Sequence, residues 1–267
     1  MKPVLDISTL RPQHPTKASW TAVVPAAGRG TRLGFEGPKV LYPVEGKPIL
    51  HWLVEALQES VAKTVFVLAP GFQQSVETEL QLLKASATCA FETAIQIEPL
   101  GMADAVDVGL SQVKTPNVVV LWGDQVSARK TTIQACQSVH EARGPAARLT
   151  LPSVIKSSPY IHFERDSSDR LVSVTEQREG TNQVSQGETD CGLFCFSTPA
   201  LRDILTKART EGLGRGAKTG EFNLLPLLPL FEQETGSVVT LRVGDLQQTV
   251  GINTASDAEA FAKRKQP

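Results

Sequence analysis

Residues 23–53 read VVPAAGRGTRLGFEGPKVLYPVEGKPILHWL. An apolar run ending at Pro25 gives way to Gly28 and Gly30, then to Arg32 and Lys39, and then to an amphipathic stretch from Pro48. That is the order of a strand, a glycine loop and a helix. Glycines let a main chain approach a polyphosphate closely enough for its N–H groups to point at the oxygens. Arg32 and Lys39 bring fixed positive charge to the same place, and Pro38 biases the segment carrying Lys39 toward an extended shape. The loop does not end in Gly-Lys followed by Ser or Thr, as a Walker loop does. Nor is it the G-x-G-x-x-G of hydride-transfer enzymes, which lacks this Arg and Lys.

Working outward, the same alternation recurs. Strands are expected at Thr21–Pro25, Thr64–Ala69, Cys89–Gln96 and Val118–Trp122, with helices at Pro48–Ser60, Phe72–Ala85, Gly101–Gln112 and Lys130–Ala142. Short apolar runs separated by amphipathic segments mark helices laid over a largely parallel sheet. From Arg148 the texture becomes β-rich, with strands expected at Leu149–Ile155, Ile161–Glu164, Leu171–Glu176 and Gly192–Ser197, the pattern of a substrate lobe. A helix at Pro199–Thr210, a loop reading GLGRGAKTG, a strand at Val238–Val243 and a helix after Asn253 complete the order. The predicted fold is α/β, Rossmann-like and doubly wound, with a mixed, mostly parallel sheet. Residues 1–19, with three prolines, read as a tail before a domain spanning 20–267.

The bulk properties exclude several classes. A chain of 267 residues with 41% apolar content can bury a full core. Its 27 Lys and Arg against 28 Asp and Glu give no general attraction for nucleic acid or an anionic membrane, so anion binding must be local. The most apolar stretch, Leu224–Phe231, is too short to span a bilayer and contains two prolines. Cys89, Cys136, Cys191 and Cys195 form neither a disulfide framework nor a zinc knuckle, which points to a reducing cytoplasm. None of the four histidines stands in a catalytic pattern.

Trp122-Gly123-Asp124 ends a central apolar strand, and open α/β sheets bind ligands at that edge. Asp124 is therefore the first candidate for a magnesium ligand, capping of the next helix being the alternative use of it.

The segment 23–53 resembles the signature of the sugar-phosphate nucleotidyltransferases, among them the uridylyltransferases that act on N-acetylglucosamine 1-phosphate. The resemblance implies that Arg32 and Lys39 neutralise triphosphate charge as catalytic residues with Asp124, while Ala26, Ala27, Gly28, Gly30 and Thr31 line the nucleotide. The stretch from Gln96 to Val106 resembles the family's base-binding segment and nominates Gln96 and Gly101, with Met102 where a threonine is usual; Gly123 joins the nucleotide site. Gly251-Ile252-Asn253 is similar to a G-x-N segment whose asparagine completes the metal site, an assignment that competes with capping of the C-terminal helix. For the acceptor, the resemblance nominates Glu176, Asp190 and Gly192, with Asp190 where an asparagine is usual and Ile161 where a glycine is usual.

By this resemblance, residues 20–145 form a nucleotide-binding half and 146–267 an acceptor-binding half. The implied activity is Mg2+-dependent transfer of UMP from a nucleoside triphosphate to a sugar 1-phosphate, with release of pyrophosphate. No hexapeptide repeats follow, so acetyl transfer is not expected. A cytidylyltransferase acting on another phosphorylated alcohol, or a catalytically silent nucleotide-sugar sensor, would use the same loop.

Overall fold

The computed structural model describes residues 3–10, 14–180, 184–232 and 237–265. Strand β1 (Val4–Asp6) precedes β2 (Trp20–Pro25), every residue of which is buried. A small hairpin of β3 (Pro43–Val44) and β4 (Lys47–Pro48) leads into α1 (Ile49–Leu57). Then β5 (Lys63–Leu68), α2 (Gln73–Leu83), β6 (Ala90–Ile95), α3 (Met102–Leu110) and β7 (Asn117–Leu121) continue the alternation. After α4 (Lys130–Arg143) come β8 (Leu149–Ser157), β9 (Ile161–Arg165), β10 (Leu171–Glu176), β11 (Gln186–Asp190) and β12 (Leu193–Ser197). The order closes with α5 (Thr198–Glu211), β13 (Val238–Arg242) and α6 (Ala255–Lys265).

Among the described residues, eleven strands form one sheet in the order β10, β9, β11, β8, β12, β7, β2, β5, β6, with β13 beside β8 and β1 beside β13. Strands β5, β6 and β7 run parallel to β2 or to one another, while β12 runs antiparallel to both β7 and β8. The chain leaves β2 toward β5 and β6 and returns to its other side as β7. The carboxyl ends of β2 and β7 therefore flank a topological switch point, where open sheets leave a crevice for ligands.

Alternate residues of the central strands supply two cores. Val23, Val65, Val67, Val118 and Val120 face α3 and α5, whereas Ala22, Val24, Phe66, Leu68, Val119 and Leu121 face α1, α2 and α4. A strand covered on both faces must be apolar at every position, which is why these runs are continuous in the sequence.

The structure departs from the expected elements at the N-terminus and between Glu176 and Gly192. The stretch expected to be a tail contributes β1, because Val4–Asp6 pairs in parallel with Thr240–Arg242. Strand β11, absent from the expected list, reads QGETD and is too polar to announce itself; its Glu188 is buried against Arg165 and Ser153, which satisfies the charge inside the sheet. The apolar run Leu225–Phe231 is a 3-10 helix, whose three-residue repeat matches the spacing of Pro226 and Pro229. The texture change near residue 148 does not break the sheet: β12 lies between β7 and β8. No helix among the described residues is long and apolar enough to cross a membrane.

Candidate active site

The loop after β2 is shaped by its own main chain. The Gly30 N–H donates to the Gly37 carbonyl (3.0 Å) and the Lys39 N–H to the Gly28 carbonyl (3.0 Å), so the segment doubles back on itself. Gly34, with φ +64°, closes the 3-10 turn Thr31–Leu33. Pro38 is extended, but Lys39, expected on an extended segment, opens a further 3-10 turn, Lys39–Leu41. Ala26 stays in the sheet through a bond to Val67 (2.7 Å). Among the described residues, nothing accepts from the N–H groups of Ala27, Gly28, Arg29, Thr31 and Arg32. A turn with that many uncommitted donors is a cradle for an anion.

Asp124 stands just past β7. It does not cap α4, which starts only at Lys130; its Oδ2 accepts from the Lys39 ammonium at 2.8 Å. Gly123 is required there because a Cβ would lie 2.3 Å from the Pro25 carbonyl oxygen. Residues 248–253 run alongside: Gln125 donates to the Gln248 carbonyl (2.6 Å), and the Ile252 N–H donates to the Asp124 carbonyl (2.9 Å).

That segment delivers Asn253. Capping of α6 falls to Thr254, whose Oγ1 accepts from the Asp257 N–H (3.2 Å), while the Asp257 carboxylate accepts from Asn253 N–H (2.9 Å) and Thr254 N–H (2.7 Å). The Asn253 side chain is thereby left for the site. Its Oδ1 accepts from Lys39 Nζ at 2.9 Å and from Arg32 at 3.2 Å. Arg32, Lys39, Asp124 and Asn253 thus form one connected cluster beside the glycine loop.

The oxygens of Asp124 and Asn253 converge on a single cation, here an ammonium. Hard oxygens in that relation suit a magnesium ion, which takes its remaining ligands from water and phosphate. Among the described residues no group of three or more His, Cys, Asp and Glu side chains could hold a metal by itself.

Gln96 sits at the end of β6 and is 5% exposed; its amide donates to the Gly101 carbonyl at 3.1 Å, so the two residues anticipated at the base are joined. Gly101 does permit a close main-chain approach, but the neighbour is Phe222, whose carbonyl oxygen would be 2.5 Å from a Cβ.

Asp190, at the end of β11, is buried and its Oδ1 accepts from the Gly192 N–H at 2.6 Å. Burial pushes its carboxyl up to about 6, against the hydrogen bond from Gly192 and with the help of the Asp124 charge. Glu176 closes β10; burial raises its carboxyl too, while Arg178, 3.3 Å away, pulls it back. The Tyr160 phenol, half exposed, is raised chiefly by burial, and the charges of Arg178 and Arg32 work against that rise.

Arg178 was not foreseen from the sequence. It reaches Asn223 (2.7 Å) and Glu221 (3.1 Å), while Glu179 holds the following glycine loop through Lys218 N–H and Thr219 Oγ1, both at 2.8 Å. These partners lie some 40 residues apart in sequence, and no local pattern joins them. Two cavities of about 620 and 560 Å³ flank Arg129 at the start of α4, and neither is lined by Arg32, Lys39 or Asp124. Here chemistry rather than volume marks the site.

The fold is that of the nucleotidyltransferases. A family model described as a MobA-like NTP transferase domain matches residues 22–189, and the chain belongs to that family. Among curated relatives, the bifunctional protein GlmU of Carboxydothermus hydrogenoformans is 28% identical over 234 residues, covering 86% of this chain and 49% of the relative. That of Heliobacterium modesticaldum is 30% identical over 250 residues, covering 90% and 51%. The chain spans about half the length of the curated relatives it matches. Among solved structures, HddC from Yersinia pseudotuberculosis complexed with GMP-PN superposes with a TM-score of 0.62 at 18% identity, covering 91% of this chain and 98% of that one. A UDP-glucose pyrophosphorylase complexed with UDP-glucose gives 0.65 at 15% identity, covering 92% and 99%. These two likenesses establish the shared fold.

Proposed function

We propose that the protein transfers UMP from UTP to a sugar 1-phosphate, releasing pyrophosphate and forming a nucleotide sugar. The observation that carries this reading is the convergence of Arg32, Lys39, Asp124 and Asn253 at the switch point, beside a loop with uncommitted N–H donors.

A sugar 1-phosphate is already ionised near neutral pH, so its oxygen attacks without a general base. That oxygen bonds to the α-phosphorus, and the bond from the α-phosphorus to the departing pyrophosphate breaks, its electron pair leaving with the pyrophosphate. The task is to bring two polyanions together in line and to stabilise the departing charge. The loop amides with Arg32 and Lys39 receive the β- and γ-phosphates, and a preorganised donor of this kind is worth roughly 100- to 1000-fold in rate. Asp124 and Asn253 would hold a magnesium ion through their side-chain oxygens, and the ion would supply positive charge to neutralise the phosphates.

Glu176 and Asp190 face the acceptor side, where carboxylates accept hydrogen bonds from sugar hydroxyls. The uridylyl reading draws support from the curated GlmU relatives and from the UDP-glucose-bound structural neighbour. The test is pyrophosphate release with Mg2+, each nucleoside triphosphate in turn, and a panel of sugar and alcohol phosphates. Turnover with UTP and a hexose 1-phosphate supports the proposal. Turnover confined to CTP and an alcohol phosphate, or tight nucleotide-sugar binding with no pyrophosphate from any pair, refutes it.

A further inference from the structure

Residues 124–129 and 245–252 lie side by side and are joined at successive points. The Ile252 N–H donates to the Asp124 carbonyl (2.9 Å), the Gln125 amide to the Gln248 carbonyl (2.6 Å) and the Ser127 hydroxyl to the Val250 carbonyl (2.5 Å). Arg129 forms an ion pair with Asp245 at the exposed end. Gly251 lies against the Asp124 side chain, where a Cβ would be 3.1 Å from both Cγ and Oδ1. Asn253 follows two residues later, so its distance from Asp124 is set by how these two segments grip each other.

The contacts are unequal. The Arg129 side chain is 57% exposed, and an ion pair open to solvent contributes little. Gln125 and Gln248 are each 4% exposed, so their bond is made away from water, where a carbonyl that loses its donor is costly. Ile252 anchors one end of the segment in the core. The turn Leu246–Thr249 has no such backing: Gln248 lines the cavity of about 620 Å³ and Gln247 the one of about 560 Å³, so the turn borders open space on two sides. What keeps the turn in place is therefore chiefly the buried bond from Gln125, the residue next to Asp124. Magnesium is strict about geometry, with oxygens at about 2.0–2.1 Å in an octahedron, so a small slip between the segments would spoil the pair Asp124 and Asn253.

On the reading of Asp124 and Asn253 as metal ligands, we infer that Gln125 is a positioning residue: its amide holds the Gln248 carbonyl and so fixes the Asn253 oxygen at the spacing from the Asp124 carboxylate that a divalent ion needs. Gln125 acts through Asn253, from the side facing away from the glycine loop.

The experiment is Mn2+ binding to the nucleotide-free protein, read by electron paramagnetic resonance, in the wild type, Gln125→Leu, Asn253→Ala and the double variant, each checked for folding by circular dichroism. Gln125→Leu is expected to weaken Mn2+ by roughly 10- to 100-fold, the effect of removing a group that orients a metal ligand. In the Asn253→Ala background the same substitution should change Mn2+ affinity by less than about twofold, because the ligand it acts through is gone. A purely structural role would give the same loss in both backgrounds. That result, or wild-type affinity in Gln125→Leu beside a clear loss in Asn253→Ala, overturns the inference and leaves the metal and transferase readings intact. A wild type that binds no Mn2+, or an Asn253→Ala variant that binds it as tightly as the wild type, overturns the metal reading and the inference together. Should Gln125→Leu fail to fold, Ser127→Ala decides: a loss of about threefold is expected, absent in the Asn253→Ala background, and no loss or an equal loss in both refutes the inference.

Discussion

Lys39 and Asp124, 85 residues apart in sequence, are joined by an ion pair of 2.8 Å that ties the loop after β2 to the end of β7. Asn253 accepts from the same ammonium at 2.9 Å, so one positive charge sits where two hard oxygens converge.

A divalent ion at those oxygens has to displace that ammonium. Lys39→Met is expected to tighten Mn2+ binding to the nucleotide-free protein by roughly fivefold, the worth of a partly exposed ion pair, as read by electron paramagnetic resonance. The same variant should lose on the order of 1000-fold in turnover, as should Asp124→Ala, with the fold retained. Unchanged or weaker Mn2+ binding, or near-normal turnover, would sink the assignment.

Asn253 and its neighbour Thr254 separate site from scaffold. Thr254→Ala removes the α6 cap and should cost about 1 kcal/mol of stability with turnover nearly intact. Asn253→Ala should do the reverse. Urea denaturation beside a pyrophosphate assay reads both, and a matched loss of activity in the two variants would argue against the division.

Gly123 and Gly28 should behave oppositely. In Gly123→Ala the new Cβ meets the Pro25 carbonyl at 2.3 Å, and main chain cannot yield cheaply, so a loss of about 1–3 kcal/mol is expected. A Cβ at Gly28 meets only the Lys39 side chain at 3.8 Å. Gly28→Ala should therefore keep stability and lower triphosphate affinity, which thermal denaturation with and without UTP will separate.

Stability should carry an acid-range signature of two buried groups with opposite signs. Burial holds His140 down to about 4 from 6.5, so the unfolded chain binds the extra proton and stability from this group rises with pH between those values. Asp190 is pushed up to about 6 from 3.8, so here the native state holds the proton and stability falls as pH rises through that range. The two offset between about pH 4 and 6. Asp190→Asn keeps an acceptor for Gly192 and removes one of them. The variant should match the wild type below pH 4 and exceed it by on the order of 3 kcal/mol above pH 6.5. A stability difference that does not vary with pH would contradict the account.

The central strands were legible because each is buried on both faces and must be apolar throughout; most expected elements from Thr21 to Phe196 lie within one or two residues of those observed. Strand β11 was not legible, since its Glu188 is compensated by Arg165, 23 residues away, and Arg242, 54 residues away. The glycine loop and Asp124 announced themselves by residue type and position in the alternation. Arg178 and Arg209 did not, because their partners, Asn223 and Asp104, come from other elements.

By itself the sequence determined the run of strands and helices and the chemistry of the loop, because periodicity and glycine preference act over a few residues. Only the tertiary structure decided which charges meet. Asn253 stands 214 residues from Lys39 and reaches it only because the segment following β13 lies along residues 124–127, a contact that requires the whole sheet to have assembled.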